Sequence, residues 1–437
     1  MQLPESFITR TKAILGEEWD AFEKALSEEI PISIRLNPEK SKKTIAFSFP
    51  IEEKIEWASN AYYLTSRPVF TLDPLFHAGV YYAQEASSMY LEQIIKKHIS
   101  DSCVVLDLCA APGGKSTHFS SLLPENSLLI SNDVIRSRAD ILTENLIKWG
   151  NPNTIVTNND PKEIGNLNGF FDIILTDLPC SGEGMFRKNP ASASEWSLNN
   201  VDLCAKRQRR IIADIWPALK SDGLLIYSTC TYNREENEEN LAWICREFDA
   251  EIAEEPKRFM PHQTKGEGFF IAAIRKKGND NKFRFRNNPK IKRTAISSEL
   301  KRWLKNPEKF VLFSEKNKFR VIPEIHSEKY FAIKDSLKIL FSGLPLGEQK
   351  GKDVIPDHAL SMSNILEQNA FPIWNLDKNS ALKYLKKEAF CGNIPDEIPK
   401  GYVLVVYQNQ SLGFIKNLGT RANNLYPQDW RIRMNIH

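Results

Sequence analysis

The chain has 437 residues, of which 42% are hydrophobic and 26% are charged, so its composition is that of a globular protein. At about 150 residues per domain, this length predicts roughly three domains. No apolar run approaches the ~18 residues that span a bilayer, and the first residues do not resemble a signal peptide. We therefore expect a cytoplasmic protein without membrane contact. The seven scattered cysteines exclude a disulfide framework and lack the paired spacing of a zinc site, so we expect free thiols and no metal.

The formal net charge of +3 conceals an uneven distribution along the chain. Residues 1–274 carry 28 basic and 39 acidic side chains, a net −11, whereas residues 275–437 carry 30 and 16, a net +14. Within the basic part, residues 275–293 hold nine basic side chains, one acid and the aromatic Phe283 and Phe285. A solvated linker is one interpretation of this segment, but aromatics among basic residues are also typical of RNA-binding surfaces. The charge asymmetry favours a partner of the nucleic-acid or membrane type.

The predicted elements change character near residue 84. Before it, a helical pattern from Phe7 to Leu26 and short alternating segments predict a small α+β unit. After it, strands and helices alternate: we predict strands at 103–108, 127–132, 154–157, 171–176, 224–228 and 269–274, and helices at 84–100, 115–123, 136–148, 202–219 and 235–248. Such alternation predicts a parallel α/β sheet of the Rossmann-like kind with helices on both faces, and its ligands bind beyond the carboxyl ends of the strands.

A glycine-rich turn follows the first predicted strand, in the sequence LDLCAAPGGKST at 106–117. Glycine lets the backbone approach a ligand, and the start of a helix offers free N–H groups. The turn matches neither the dinucleotide fingerprint nor the P-loop. Its candidate cofactor-binding residues are Cys109, Ala110, Ala111, Pro112, Gly113, Gly114 and Lys115.

Two acids end the next two strands, Asp133 for a ribose and Asp160 for an adenine amino group. Loop capping is the alternative role for each acid taken alone. Their occurrence at successive strand ends favours S-adenosylmethionine as the cofactor.

Two cysteines also lie just past strand ends, Cys180 in TDLPCSGEG and Cys230 in STCT. Most single cysteines are small core residues. These two follow strands that should be neighbours, so both should face the cofactor. Two thiols at one catalytic edge without zinc spacing favour covalent chemistry.

Together, the segments YAQEASSM (82–89), CAAPGGKS (109–116), DLPCSGEGMFRK (177–188) and STCT (228–231) resemble the Sun-type RNA 5-methylcytosine methyltransferases. PISIRLNP (31–38) matches that family's lead-in, and Leu178 stands where the family usually has a smaller residue. The layout, with a basic extension and a β-rich end, is similar to bacterial 16S rRNA methyltransferases of the RsmF type. The resemblance implies an α+β RNA-binding unit at 1–84, a methyltransferase domain at 85–276, a basic linker with a small mixed domain at 277–365, and a PUA-like RNA-binding domain at 366–437.

The resemblance also implies roles for the site residues. Cys230 would add to carbon 6 of cytosine, Cys180 would assist loss of the carbon 5 proton or release of the product, and Asp177 would contact the N3 and N4 edge of the base as well as the cofactor. DNA 5-methylcytosine enzymes instead use the cysteine of a Pro-Cys motif, which would make Cys180 the nucleophile. The target base must leave its stack, so single-stranded or flexible RNA is the expected substrate form.

Several alternatives stay open at this level. The substrate would be 16S rRNA or the 30S subunit, with transfer RNA as the alternative and a non-catalytic assembly factor as a different class. We expect a monomer, and Arg187, Lys188, Arg284 and Arg286 are the candidate RNA contacts. A chain ending near residue 276 is expected to keep cofactor binding and to lose salt-sensitive RNA affinity.

Overall fold

A computed structural model describes residues 3–42, 45–278, 283, 297–391 and 394–435. In the amino-terminal part, four short antiparallel strands form a sheet of order β2-β3-β1-β4. The elements of this part are α1 (Glu5–Leu15), α2 (Trp19–Ala25), β1 (Ile32–Leu36), β2 (Ile51–Lys54), β3 (Ala61–Leu64), α3 (Pro74–His77) and β4 (Tyr81–Ala83).

The central part contains the alternating elements that the sequence predicts, together with the short helices α7 and α8 and the strand β10, which it does not. They are α4 (Leu91–His98), β5 (Val104–Asp107), α5 (Gly114–Leu122), β6 (Leu128–Asn132), α6 (Arg136–Trp149), β7 (Thr154–Thr157), α7 (Pro161–Gly165), β8 (Phe171–Asp177), α8 (Ala191–Glu195), α9 (Leu198–Ile215), β9 (Leu219–Thr229), α10 (Glu238–Glu247), β10 (Ala250–Phe259) and β11 (Phe269–Lys276). Strands β7, β6, β5, β8 and β9 are parallel neighbours in that order, and β11 and β10 extend the sheet antiparallel. The parallel α/β fold class is confirmed.

Alternate side chains of the central strands enter two separate cores, one on each face of the sheet. Leu106 and Ile174 pack on one face, and Val105 and Ile173 pack on the other. All four side chains are at most 4% exposed, because helices cover both faces. The strand order reverses between β5 and β8, and ligands of such sheets bind beyond the carboxyl ends of the strands at this point.

The carboxy-terminal part adds two further sheets and returns once to the central one. Its elements are α11 (Ser298–Lys301), β12 (Phe310–Glu315), β13 (Lys318–Pro323), α12 (Ser327–Lys334), β14 (Ile339–Ser342), β15 (Leu344–Lys350), β16 (Asp353–Pro356), α13 (His358–Met362), β17 (Ile373–Asn375), α14 (Lys378–Leu385), β18 (Phe390–Cys391), β19 (Gly401–Tyr407), β20 (Gln410–Asn417) and β21 (Arg421–Asn424). The new sheets have the orders β12-β13-β15-β16 and β17-β19-β20-β21-β18.

Strand β14 is the unexpected element of this part, because it pairs antiparallel with β7 and becomes the eighth strand of the central sheet. Ile333 and Leu337, just before it, are buried in a core of the central sheet. The methyltransferase sheet therefore does not end at residue 276. A chain cut there would lose core residues as well as basic ones, so the expected truncation experiment would not isolate RNA affinity.

The three parts are packed closely against one another. Ile34 and Leu75 of the amino-terminal part share a core with Leu382 and Val405 of the last sheet. A side chain at Gly150, which follows α6, would place its Cβ 2.4 Å from the main-chain oxygen of Met362. Among the described residues, no helix is both long and apolar enough to cross a membrane.

Candidate active site

The glycine turn lies where the sequence predicts it, between β5 and α5. Gly113 precedes the first helical residue with φ of +116°, a backbone conformation that strongly favours glycine. Ala110 and Ala111 are buried, Cys109 and Lys115 are partly buried, and Pro112 is exposed. Burial and the nearby Asp107 carboxylate raise the pKa of the Cys109 thiol, which therefore stays protonated. The turn thus presents backbone groups and one charged side chain, Lys115, at the carboxyl edge of the sheet.

Asp133 and Asp160 both end strands, but their surroundings differ. The Asp133 side chain is 3% exposed, accepts a hydrogen bond from the backbone of Ile135, and lies 3.3 Å from Arg138 Nη2. Asp160 is the N-cap of α7 and forms a capping box with Glu163, its Oδ1 accepting from the backbone of Lys162. Loop capping, the alternative that the sequence leaves open, is thus a structural role of Asp160.

Asp107 is a buried acid that sequence analysis did not select. It is 0% exposed, its Oδ2 accepts a hydrogen bond from Ser116 Oγ at 2.6 Å, and its Oδ1 has no partner among the described residues. Burial, helped by the charges of Asp177 and Asp133, raises its pKa to about 7. Asp107, Asp133 and Asp177 thus bring three acidic side chains close to one another at the carboxyl edge of the sheet, an arrangement that suits a cationic ligand.

Cys180 and Cys230 meet at the ends of β8 and β9, with their sulfur atoms 3.0 Å apart. The hydrogen bond to Cys230, burial, and the charges of Cys230 and Glu236 raise the pKa of Cys180 well above its usual value. Cys180 therefore stays protonated, and its sulfur and that of Cys230 lie within hydrogen-bonding distance. The two thiols that the sequence assigned to one edge form one pair.

Beside the cysteines, Lys115 Nζ and Asp177 Oδ2 form an ion pair at 2.7 Å. Asp177 Oδ1 accepts a second hydrogen bond, from Ser228 Oγ at 2.9 Å. Burial lowers the pKa of Lys115, but the Asp177 carboxylate, with Asp107 and Cys230, outweighs burial and raises it. A charged ammonium and a carboxylate thus lie together at the strand-order reversal.

The candidate RNA contacts that the structure describes differ in how exposed they are. The Arg187 side chain is 5% exposed and pairs with Glu267, with Nη2 2.7 Å from Oε1. Further donors reach the main-chain oxygens of Ala25 and Gly266, so each of the three guanidinium nitrogens donates inside the protein. This arrangement contradicts an RNA contact for Arg187, whose position beside a catalytic motif suggested one. Lys188 is exposed, whereas Arg284 and Arg286 lie outside the described residues.

Three further residues around the site escaped the sequence analysis. Glu183 and Glu236 are buried acids. Glu183 accepts from the backbone of Tyr232, close to Cys230, and Glu236 accepts from the backbone of Ser181, next to Cys180. Arg35 of β1 is 2% exposed and reaches the first turn of α5, where its Nη2 donates to Thr117 Oγ1 at 2.6 Å. Glu183 stands inside the quoted DLPCSGEG motif, which was the available signal. For Arg35 and Glu236 the contacts depend on tertiary structure.

The sequence of the chain matches a known family of proteins. A family model described as 16S rRNA methyltransferase RsmB/F matches residues 94–275. The ribosomal RNA small subunit methyltransferase F of Pectobacterium atrosepticum is 30% identical over 407 residues, which cover 85% of this chain and 81% of the relative. The chain belongs to the RsmF family of 16S rRNA methyltransferases. The resemblance inferred from the motifs is confirmed.

Matches to RsmF extend over the flanking parts. The N-terminal domain of 16S rRNA methyltransferase RsmF matches residues 3–86, and the methyltransferase RsmF PUA domain matches residues 371–432. The methyltransferase F of Pectobacterium carotovorum subsp. carotovorum is 29% identical over 98% of this chain and 95% of its own. A solved structure, a methyltransferase homolog protein from Pyrococcus horikoshii, is 29% identical with a TM-score of 0.54 over 62% of this chain and 95% of that one. The methyltransferase fold and the PUA-like end are thus shown.

Proposed function

We propose that this RsmF-family protein methylates carbon 5 of a cytosine in 16S rRNA, with S-adenosylmethionine as the methyl donor and a covalent bond between Cys230 and the base. The observation that carries the proposal is the 3.0 Å contact between Cys180 and Cys230. The Lys115–Asp177 ion pair lies at the same strand ends. A nucleophile, a second thiol and a polar pair for the base edge are thus assembled where a bound cofactor is expected.

The residues around the glycine turn fit S-adenosylmethionine. The buried Asp107 has an unpartnered oxygen and a raised pKa because of burial and its acidic neighbours Asp177 and Asp133. A sulfonium cation would relieve that unfavourable field. The backbone of 109–114 and the Asp133 carboxylate would hold the rest of the molecule, and Asp160 would approach the adenine from its capping position. When bound, the cofactor supplies an electrophilic methyl group.

Carbon 5 of cytosine needs activation before it can accept a methyl group. Cys230 as thiolate forms a bond to carbon 6, the electron pair of the C5–C6 double bond becomes available at carbon 5, and the ring takes up a proton at N3. Asp177 accepts a hydrogen bond from the N4 amino group, and the Lys115 ammonium orients the Asp177 side chain. These contacts stabilise the charge that develops along the base edge.

Release reverses the covalent bond. Once carbon 5 carries the methyl group, removal of its proton returns an electron pair to the C5–C6 bond, N3 loses its proton, and the bond from carbon 6 to sulfur breaks. The raised pKa of Cys180 keeps it a thiol, whose S–H can donate a hydrogen bond to the Cys230 sulfur as that sulfur leaves with the electron pair of the broken bond. We therefore assign Cys230 as the nucleophile and Cys180 as its hydrogen-bond partner during release.

Single alanine variants test the assignment. We expect Cys230→Ala to abolish methylation, and Cys180→Ala to accumulate a covalent RNA adduct on a denaturing gel. A Cys230→Ala protein that still methylates RNA would refute the assignment, and the opposite pattern would make Cys180 the nucleophile. Bisulfite mapping of 16S rRNA, 30S subunits and transfer RNA treated with the full chain identifies the substrate. Absence of methyl transfer to all three would favour a non-catalytic assembly role.

A further inference from the structure

The two loops that carry the cysteines are tied together by acids rather than by their thiols alone. We call residues 178–186 the Cys180 loop and residues 230–237 the Cys230 loop. Glu183 belongs to the first loop and Glu236 to the second, and both are almost fully buried, at 2% and 0% exposed. Neither carboxylate forms an ion pair within the part of the chain that the structure describes. Hydrogen bonds therefore satisfy the two carboxyl groups.

Glu183 reaches from the Cys180 loop to the residues that directly follow Cys230. Its Oε2 accepts from Thr231 Oγ1 at 2.7 Å and from the backbone N–H groups of Tyr232 and Asn233 at 2.9 Å each. The adjacent Gly184 N–H donates to the carbonyl of Cys230 at 2.9 Å. Two consecutive residues of the Cys180 loop therefore hold the Cys230 carbonyl and the three residues that follow it.

Glu236 makes the reciprocal connection. It accepts the backbone N–H of Ser181, the residue after Cys180, with Oε2 at 3.0 Å. The same carboxylate accepts from Gln208 Nε2 and Asn233 Nδ2 at 2.7 Å each. Gln208 also donates to the carbonyl of Pro179, the residue before Cys180, at 3.1 Å. Glu236 and its partner thus hold the Cys180 backbone on both sides.

We propose that Glu183 and Glu236 are positioning residues that set the separation of the two sulfur atoms, Glu183 by fixing Cys230 and Glu236 by fixing Cys180. The inference rests on the proposed roles of the two cysteines and adds the residues that make those roles geometrically possible. Burying a carboxylate without a cation costs free energy unless several donors satisfy it. An apolar pair would tie the loops without that cost, but it could not orient individual backbone N–H groups.

Glu236 also acts on Cys180 through its charge. The Glu236 carboxylate is one of the groups that raise the pKa of Cys180, after the hydrogen bond to Cys230, burial and the charge of Cys230. Removing that negative charge should let Cys180 lose its proton at lower pH. The role of Glu236 therefore has a pH signature, which a purely structural hydrogen bond elsewhere in the fold would lack.

Glutamine is the matched substitution at both positions, because it keeps the shape but puts an NH2 group in place of one oxygen. At Glu236 both oxygens face donors, Ser181 N with Gln208 Nε2 on one side and Asn233 Nδ2 on the other. At Glu183 the second oxygen faces Trp196 Nε1 at 3.1 Å. A donor would meet a donor in either orientation, so each variant releases its loop. Glu92→Gln is the control, since Glu92 of α4 is also 2% exposed and accepts from His118 of α5 and from the backbone of Ser59, neither of which belongs to a cysteine loop.

The experiment separates adduct formation from adduct resolution in the full chain. Formation is measured in a single turnover with 16S rRNA containing 5-fluorocytosine, in which the carbon 5 proton is absent and the adduct accumulates. Resolution is measured with ordinary RNA. We expect Glu183→Gln to slow formation by about 100-fold, the cost of a roughly 1 Å displacement of a reacting group. We expect Glu236→Gln to form the adduct at a rate close to that of the unaltered protein, to resolve it slowly, and to shift the alkaline limb of resolution to lower pH.

Thr231→Val provides a milder second variant in case a buried glutamine prevents folding. It removes one 2.7 Å hydrogen bond to Glu183 and should slow formation in the same direction but less. If the unaltered protein forms and resolves the adduct while all three variants behave as Glu92→Gln does, the positioning roles are wrong. Equal slowing of both steps in both glutamate variants would also overturn them. If the unaltered protein forms no adduct, the proposed covalent mechanism itself fails.

Discussion

Replacing Arg187 with methionine distinguishes the buried ion pair seen in the structure from the RNA contact that the sequence suggested. Arg187 Nε and Nη2 donate to Glu267 Oε1 at 3.0 and 2.7 Å, and both side chains are about 95% buried, at 5% and 6% exposed. Methionine keeps the length and the apolar stem but removes every donor. Glu267 would then be a buried carboxylate without its cation.

The expected cost follows from that burial. Removing one partner of a buried ion pair destabilises a protein by about 3–5 kcal/mol, mainly because the other charge stays buried and unpaired. Burial already raises the pKa of Glu267 against the lowering effect of Arg187, so the variant should take up a proton there and lose less stability at acidic pH. Replacing both residues, in Arg187→Met with Glu267→Met, should recover much of the loss because no isolated charge remains.

Urea denaturation of the two single variants, the double variant and Lys188→Met measures these stabilities. Lys188 is exposed and neighbours Arg187, so Lys188→Met is the matched control and should change stability by less than about 0.5 kcal/mol. RNA affinity is measured in parallel over a range of salt concentrations. A stable Arg187→Met protein with weaker RNA binding and a shallower salt dependence would refute the structural role and restore the RNA contact.

Three other changes test the geometry independently. Asp107→Asn should flatten part of the pH dependence of unfolding. Between about pH 4 and pH 7 the folded chain keeps a proton on Asp107 that the unfolded chain releases, so the free energy of unfolding of the unaltered protein should fall as pH rises, by about 1.4 kcal/mol per pH unit for this group. Identical pH profiles for the variant and the unaltered protein would contradict the raised pKa. Mild oxidation with diamide should join Cys180 to Cys230 in a bond that thiols reverse, detected by mass spectrometry of the peptides, and other pairings would contradict the 3.0 Å contact. Gly150→Ala should destabilise the chain by more than about 1–3 kcal/mol, because φ is +90° and the new Cβ meets the main-chain oxygen of Met362. Gly278→Ala is the control: its φ is +98° but nothing lies within 4 Å, so it should cost only the backbone strain. Equal urea midpoints for the two variants would show that the backbone at Met362 moves away without cost.

The central sheet was predictable because its buried strands are short apolar runs between helices. The approach of Cys180 to Cys230 also followed from the sequence, since both residues end strands that are neighbours in this fold. Strand β10 was not predicted: it is the edge strand, only two of its ten residues AEIAEEPKRF are buried and five are charged, so no apolar alternation marks it. Strand β14 was missed because it has only four residues and its partner, β7, lies far away in the sequence, so no local pattern indicates the pairing.

Some features of the site also have a local sequence signal, whereas other contacts depend on tertiary structure alone. The glycine turn carries a local signal, because Gly113 needs a positive φ and opens a helix. Arg187 carries no local signal of its contacts, because its partner Glu267 lies 80 residues further on. The sequence around a basic residue beside a catalytic motif does not tell whether that residue faces RNA or a buried acid. The buried acid Glu236 is of this kind too, since a polar residue outside a motif suggests exposure until tertiary structure shows what it accepts, whereas Glu183 lies inside the DLPCSGEG motif.

The pairing of β14 with β7 also has a consequence for how the protein is made. Strand β7 ends at Thr157 and its neighbour begins at Ile339, so roughly 180 residues must be synthesised before that edge can close. At about 5–20 residues per second this takes on the order of 10 to 40 seconds. During translation the nascent sheet exposes unpaired N–H and C=O groups, which can pair with strands of other nascent chains. Ribosomes that stall or stop early in the basic segment would therefore release aggregation-prone chains instead of a free catalytic domain.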